Sequence, residues 1–317
     1  MRTALVLLCL ALPAAAAGQA PQPAAHDGQV VSRAAYRLAP FDSLAADQQR
    51  ALTRQGEREG YERARRDAGF TLSRLRYRSD GLEVVAYLAA PAAPGAGRLP
   101  VVVYNRGSWV MGDQAPVLAP LLHRLVEAGF VVVAPQYRGS DGGEGRDEMG
   151  GADVADVLNA VTLARSLPGA DPERLYMYGE SRGGMMTYQA IREGAPVRAA
   201  AVVGAFTDVE ATMAGDERSR GAAPQIWPDW EQRRAEIVER RSALRWADRL
   251  AVPLLILHGG ADRSVSPRQS LALAERLDAL GRPYELHVFA GEGHTLAGRH
   301  EARDRQVAEW FRRHSPE

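Results

Sequence analysis

The segment Gly179-Glu180-Ser181-Arg182-Gly183-Gly184 follows the apolar run Leu175–Tyr178 and precedes a helical pattern. A serine with glycines two positions to either side, between a strand and a helix, fits a sharp turn that lifts its hydroxyl above a sheet. At a helix start the hydroxyl also meets the positive end of the helix dipole, which favours a developing oxyanion. A serine hydroxyl is a weak nucleophile until a base takes its proton. Of the seven histidines, His26 and His314 lie near the termini, His123 in a helical stretch, His287 inside a strand and His258 near the end of one. His294, in the loop Gly291-Glu292-Gly293-His294-Thr295 after the last apolar run, is the expected base, and His300 is the alternative. An acid must orient that imidazole. Asp262 follows the run Pro253–Leu257 in the string HGGAD, and Asp208, after the preceding run, competes for the role. An oxyanion needs two donors. The backbone N–H of Arg182 is one, and Asn105, by side chain or backbone, is the candidate for the other from the loop Tyr104–Ser108. Together these groups suit attack on a carbonyl and acyl transfer through Ser181, with a small peptide or ester as substrate.

Composition excludes several competing chemistries. The 39 basic residues are all arginine, so no lysine is available for a Schiff base, a P-loop or a Ser-x-x-Lys acyl enzyme. The glycines between Gly139 and Gly145 therefore do not read as a phosphate loop. The acids Asp141, Glu144, Asp147 and Glu148 read as a solvated loop rather than a cation site, and neither a metal nor a cofactor is expected. Basic and acidic residues cancel, 39 against 39, so nothing favours nucleic acid or an anionic membrane surface. The one cysteine, Cys9, lies in the apolar run TALVLLCLAL, preceded by Arg2 and followed by an alanine-rich segment. That pattern is expected for a cleaved signal peptide over residues 1–20, hence an exported protein, periplasmic or secreted, without disulfides or thiolate chemistry and with no membrane association after cleavage. The apolar core of the run is too short to span a bilayer.

The elements that must position these groups follow from periodicity. Residues 21–71 read as an Ala/Pro/Gln-rich leader and then a polar, arginine-rich surface helix between Asp42 and Asp67. From Leu72 two alternating runs meet at Ser79-Asp80-Gly81, a hairpin signal. Short, nearly continuous apolar runs follow at 100–104, 130–134, 175–178, 199–204, 253–257 and 284–289, with helical stretches at 116–128, 147–167, 182–192, 267–280 and 301–314. Such runs belong to parallel strands covered on both faces, so the pattern predicts one α/β domain over 72–317 with an antiparallel hairpin at its start. The stretch 207–241, with Met213, Trp227, Trp230 and a charged helix, is expected either to cap the site or to pack onto the domain through its tryptophans.

The strings SDGLEVVAYL, VVVAPQYRGS, GGADVADVLNAV, DPERLYMYGESRGG, RSALRWADRLAVPLLILHGGADRSV and GEGHT, from about Leu72 onward, resemble the catalytic domain of the prolyl oligopeptidase family of serine peptidases. The resemblance implies an α/β-hydrolase fold, mostly a parallel sheet with helices on both faces. It also implies acyl-transfer chemistry and a triad of Ser181, Asp262 and His294 in that chain order. Three departures stand out. Arg182 replaces the family's usual aromatic residue after the serine. Asn105-Arg106-Gly107 stands where relatives carry Tyr-Gly-Gly or His-Gly-Gly. The stretch before the hairpin is also too short for the family's β-propeller. The leading expectation is a peptidase of prolyl oligopeptidase type. The alternatives are a carboxylesterase acting on small esters and a non-catalytic binding protein on the same fold, against which the intact Ser-Asp-His order argues.

Overall fold

A computed structural model describes residues 27–93, 95–108, 112–214 and 217–316. The expected signal peptide, the leader up to residue 26 and His26 itself lie outside the described residues. The strands are β1 (Val30–Ala35), β2 (Phe70–Ser79), β3 (Leu82–Pro91), β4 (Leu99–Asn105), β5 (Val131–Pro135), β6 (Ala170–Glu180), β7 (Ala199–Val203), β8 (Leu254–Gly259) and β9 (Tyr284–Phe289). They form one nine-stranded sheet in the order β1-β2-β3-β5-β4-β6-β7-β8-β9. Pairing is antiparallel from β1 through β3 to β5 and parallel from β5 to β9. The hairpin turns at Ser79↔Leu82, where Asp80 (φ 49°) and Gly81 (φ 79°) take the left-handed conformation that a two-residue hairpin turn requires.

The helices are α1 (Ala46–Gln55), α2 (Arg58–Arg66), α3 (Ala115–Glu127), α4 (Val154–Ser166), α5 (Arg182–Arg192), α6 (Val209–Ala214), α7 (Glu217–Ile226), α8 (Trp230–Arg241), α9 (Arg268–Ala279) and α10 (His300–Arg313). Strand side chains alternate between two buried layers. Val101, Val103, Leu175, Met177 and Ile256 join residues of α4, α5 and α9 on one face, while Val102, Tyr104, Tyr176, Tyr178 and Leu257 join α3 and α10 on the other. Burial on both faces explains why these strands read as unbroken apolar runs rather than as alternating ones.

Two features differ from the expectation. The segment before the hairpin contains an edge strand, β1, whose residues are exposed and carry no inward apolar face to betray it. The surface helix expected between Asp42 and Asp67 is two helices, because Gly56 (φ 72°) ends α1 in a left-handed cap and the chain re-enters helix at Arg58. This arm docks through Phe41, Leu52, Tyr61 and Ala64 on Ala119 of α3. It is tied down by Glu57, which accepts two bonds from the Arg124 guanidinium (2.6 and 2.9 Å).

The turn at Ser181 depends on close backbone approach. A Cβ on Gly183 would lie 1.8 Å from the Asn105 carbonyl oxygen, so only glycine lets α5 start this near the end of β4. Gly183→Ala is expected to lower stability by about 1–3 kcal/mol through overpacking. Gly97→Ala, which meets open space, is expected to leave stability nearly unchanged. Thermal denaturation of the two variants beside wild type checks this, and equal midpoints would contradict it.

Candidate active site

Ser181 stands between β6 and α5 with φ 54° and ψ −120°, a conformation that costs a non-glycine residue about 1–3 kcal/mol. Its N–H donates to the Val203 carbonyl (2.8 Å), which fixes the turn against β7. His294 lies in the loop after β9. Its Nε2 is 2.8 Å from Ser181 Oγ, and its Nδ1 is 2.7 Å from Asp262 Oδ2. A proton on Nδ1 directed at the carboxylate leaves the Nε2 lone pair to accept the serine hydroxyl. Asp262, in the loop after β8, has a fully buried side chain. Its Oδ1 accepts the N–H groups of Ser264 (2.8 Å) and Val265 (2.9 Å).

His258 is a further partner of that carboxylate. It is wholly buried, with Nδ1 2.7 Å from Ser270 Oγ and Nε2 facing both the Val265 carbonyl (3.0 Å) and Asp262 Oδ2 (3.1 Å). From the sequence it reads as a core histidine, and the only clue to more is its position four residues before Asp262. Burial opposes ionisation of Asp262, but the hydrogen bonds from His258 and His294 outweigh it and hold the carboxyl well below the usual carboxylate range. For His294 burial disfavours the cation, yet the Asp262 hydrogen bond and charge prevail and raise its pKa above the ordinary imidazole value.

The alternatives weighed from the sequence are occupied elsewhere. Asp208 caps α6 through the Ala211 N–H (3.1 Å). His300 donates from Nε2 to the Gln55 carbonyl of the arm. Asn105 is displaced from its expected role. It ends β4 opposite Gly179, and its buried side chain donates to Thr187 Oγ1 of α5 (2.8 Å), beneath the turn rather than above it. The residue against the nucleophile is Gly107, where a Cβ would lie 3.2 Å from Ser181 Cβ. Among the described residues, neither the Gly107 N–H nor the Arg182 N–H donates to another group.

The Arg182 side chain turns inward. It forms a fork with Asp147 (2.6 and 2.7 Å) and a further bond to the buried Asp153 (2.7 Å). Burial opposes the Asp153 charge, but the Arg182 guanidinium and the N–H groups of Gly150 and Gly151 keep its carboxyl below the usual range. The expected helix 147–167 begins only at Val154 because Asp147 to Asp153 form this loop around Arg182.

A cleft of about 720 Å³ opens at Ser181 and His294. Its walls include Gly107, Ser108, Leu118 and Leu121, and on the outer side Ala51, Arg54 and Gln55 of α1. None of the described residues of 207–241 lines it. That stretch packs on the domain instead, with Trp227 and Trp230 buried and stacked (5.6 Å) and the Trp227 indole N–H donating to the Glu148 carbonyl (3.0 Å). The outer wall of the cleft is instead formed by the N-terminal arm, whose polar sequence gives no sign of facing a site. Among the described residues no group of three His, Asp, Glu or Cys side chains is placed to hold a metal ion.

The family described as the prolyl oligopeptidase family matches residues 120–316. The chain belongs to the prolyl oligopeptidase family. Another similar protein is the uncharacterized peptidase YtmA of Bacillus subtilis, 29% identical over 238 residues, which cover 74% of this chain and 91% of that protein. Among solved structures, a puromycin-hydrolyzing peptidase of Mycobacterium tuberculosis superimposes with a TM-score of 0.63 at 28% identity, covering 76% of this chain and 39% of that one. A carboxyl esterase of Tuber melanosporum has a TM-score of 0.63 at 20% identity, a likeness of fold, covering 79% of this chain and 90% of that one. This prolyl oligopeptidase family member therefore spans well under half of its long solved relative. It is a serine hydrolase with an α/β-hydrolase fold.

The Ser181–His294 contact makes a pH prediction. Only neutral His294 can take the serine proton, so kcat/KM falls as the pH drops through the histidine's pKa. The acid limb is expected to have its midpoint above the unperturbed histidine value of about 6.5. A pH–rate profile on a neutral ester checks it, and a midpoint below that value would contradict the pairing with Asp262.

Proposed function

We propose that this serine hydrolase is exported and cleaves peptide or amide bonds of small substrates through an acyl-enzyme on Ser181. The observation that carries the reading is the unbroken hydrogen-bonded chain from Ser181 through His294 to Asp262 at the mouth of the cleft. In this mechanism Ser181 Oγ attacks the carbonyl carbon while its proton passes to His294 Nε2. Asp262 steadies the imidazolium, and the N–H groups of Arg182 and Gly107 receive the oxyanion. His294 returns the proton to the departing amine. A water then attacks the acyl-serine with the same histidine as base, releasing the acid and restoring Ser181.

A second reading, a carboxylesterase for small esters, is favoured by the lining of the cleft. Among the described residues its two carboxylates are engaged, Glu57 with Arg124 and Glu180 with Arg303, which leaves none of these free for a peptide's terminal ammonium.

A fluorophosphonate probe is expected to label wild type but not Ser181→Ala, and Ser181→Ala is expected to lose turnover of both short acyl esters and matched aminoacyl amides. Labelling that persists in the variant sinks the assignment of the nucleophile. Turnover of the esters alone replaces the peptidase reading with the esterase one.

Export is supported by the charged start, short apolar core and alanine-rich segment of residues 1–20. When the full chain is expressed in a bacterial host, the periplasmic or culture fraction should contain protein whose N-terminus follows that alanine-rich segment. Intact protein retained in the cytosol, beginning at Met1, would overturn the proposal.

A further inference from the structure

The loop that carries Gly107 is held by an assembly absent from the mechanism above. Arg106 is almost wholly buried, and among the described residues its guanidinium forms no salt bridge. Its Nη1 donates to the carbonyls of Gly107 and Ser108 (both 3.1 Å), and its Nη2 to the Gln136 carbonyl and Ser140 Oγ (both 2.9 Å). The Arg182 guanidinium adds a bond to the Ser108 carbonyl (3.3 Å). The carbonyl of Arg106 itself accepts the Tyr137 hydroxyl (3.0 Å). Tyr137 is fully buried at φ 65°, and the guanidiniums of Arg106 and Arg182 lie over its ring at 5.1 and 4.5 Å from the centroid. Three consecutive carbonyls, 106 to 108, are therefore all drawn toward this buried group of side chains.

That arrangement fixes where the amides point. In a trans peptide the C=O and the following N–H face opposite ways, and no peptide bond among the described residues is cis. Anchoring the Arg106 carbonyl on the Tyr137 hydroxyl thus turns the Gly107 N–H away from that hydroxyl, while Gly107 itself packs against Ser181. The Arg106 side chain threads back beneath its own loop. We propose that Tyr137 and Arg106 are positioning residues that aim the Gly107 N–H at the oxyanion, with the Arg182 side chain locking the same loop. Neither touches the substrate carbonyl. Their effect is to pre-set a donor that a free glycine loop would have to order at the moment of reaction. The inference rests on the acyl-transfer reading of the site.

Tyr137→Phe removes the hydroxyl donor and keeps the ring under both guanidiniums. Loss of one oxyanion donor outright costs about 10²–10³-fold, so a donor left in place but unaimed is expected to lower kcat by about 10-fold, with KM within about twofold of wild type. Arg106→Lys, whose single ammonium cannot span four acceptors, is expected to shift kcat in the same way. Both variants should match wild type in circular dichroism. A trifluoromethyl ketone, which forms a tetrahedral adduct on Ser181, should weaken in parallel with kcat/KM, whereas binding of the product acid should not move. Guanidinium ion added to Arg106→Ala should restore part of the lost rate.

If folded Tyr137→Phe turns over like wild type, or loses activity through KM alone, the positioning role is wrong while the serine hydrolase reading stands. If wild type itself shows no turnover that depends on Ser181, both fall together.

Discussion

Ser181 is held at a positive φ by what surrounds it, and that constraint governs much of the molecule. The turn exists because the Asn105 carbonyl can press against Gly183, because Val203 accepts the Ser181 N–H, and because Gly107 lies over the serine's Cβ. Those contacts come from two strand ends, β4 and β7, on either side of β6. The parallel order β4-β6-β7-β8-β9 brings the strand ends together on one edge of the sheet, so His294 and Asp262 reach the same point from the loops after β9 and β8. Backbone strain of this size persists only where the neighbours over-determine it.

Electrostatics complete what packing begins. Asp262 is surrounded by donors on both oxygens, which makes a buried carboxylate a stable counter-charge rather than an isolated one. Arg182 follows the same principle with opposite sign, its fork matched by Asp147 and Asp153. The planar geometry of guanidinium suits these roles, since one side chain can satisfy several acceptors at fixed angles. A chain with arginine as its only long cation can thus use buried positive charge as scaffolding, as it does around Tyr137.

The sheet and the three residues at its edge were legible in the sequence because they depend on local signals. Unbroken apolar runs mark doubly covered strands, and chemistry follows their C-terminal ends. What escaped depends on contacts between distant segments. β1 pairs by backbone alone, with exposed side chains. The direction of the Asn105 side chain was not legible either, because the alternation at the end of β4 sends it beneath α5 and the loop rises only after it. Nothing local in Asp147 or Asp153 announces a partnership with Arg182, and nothing in the string ALTRQ announces that α1 walls the cleft.

The docking of that arm has a consequence for how the molecule comes into being. α1 and α2 belong to the first part of the described chain to be synthesised, and α10, which meets the arm through His300 and through the Arg63–Glu301 pair, to the last. Pairings this far apart in sequence are late and slow to form. A nascent chain that still lacks α10 lacks the platform that holds the outer wall. The outer wall of the cleft is therefore complete only once both ends of the described chain have met.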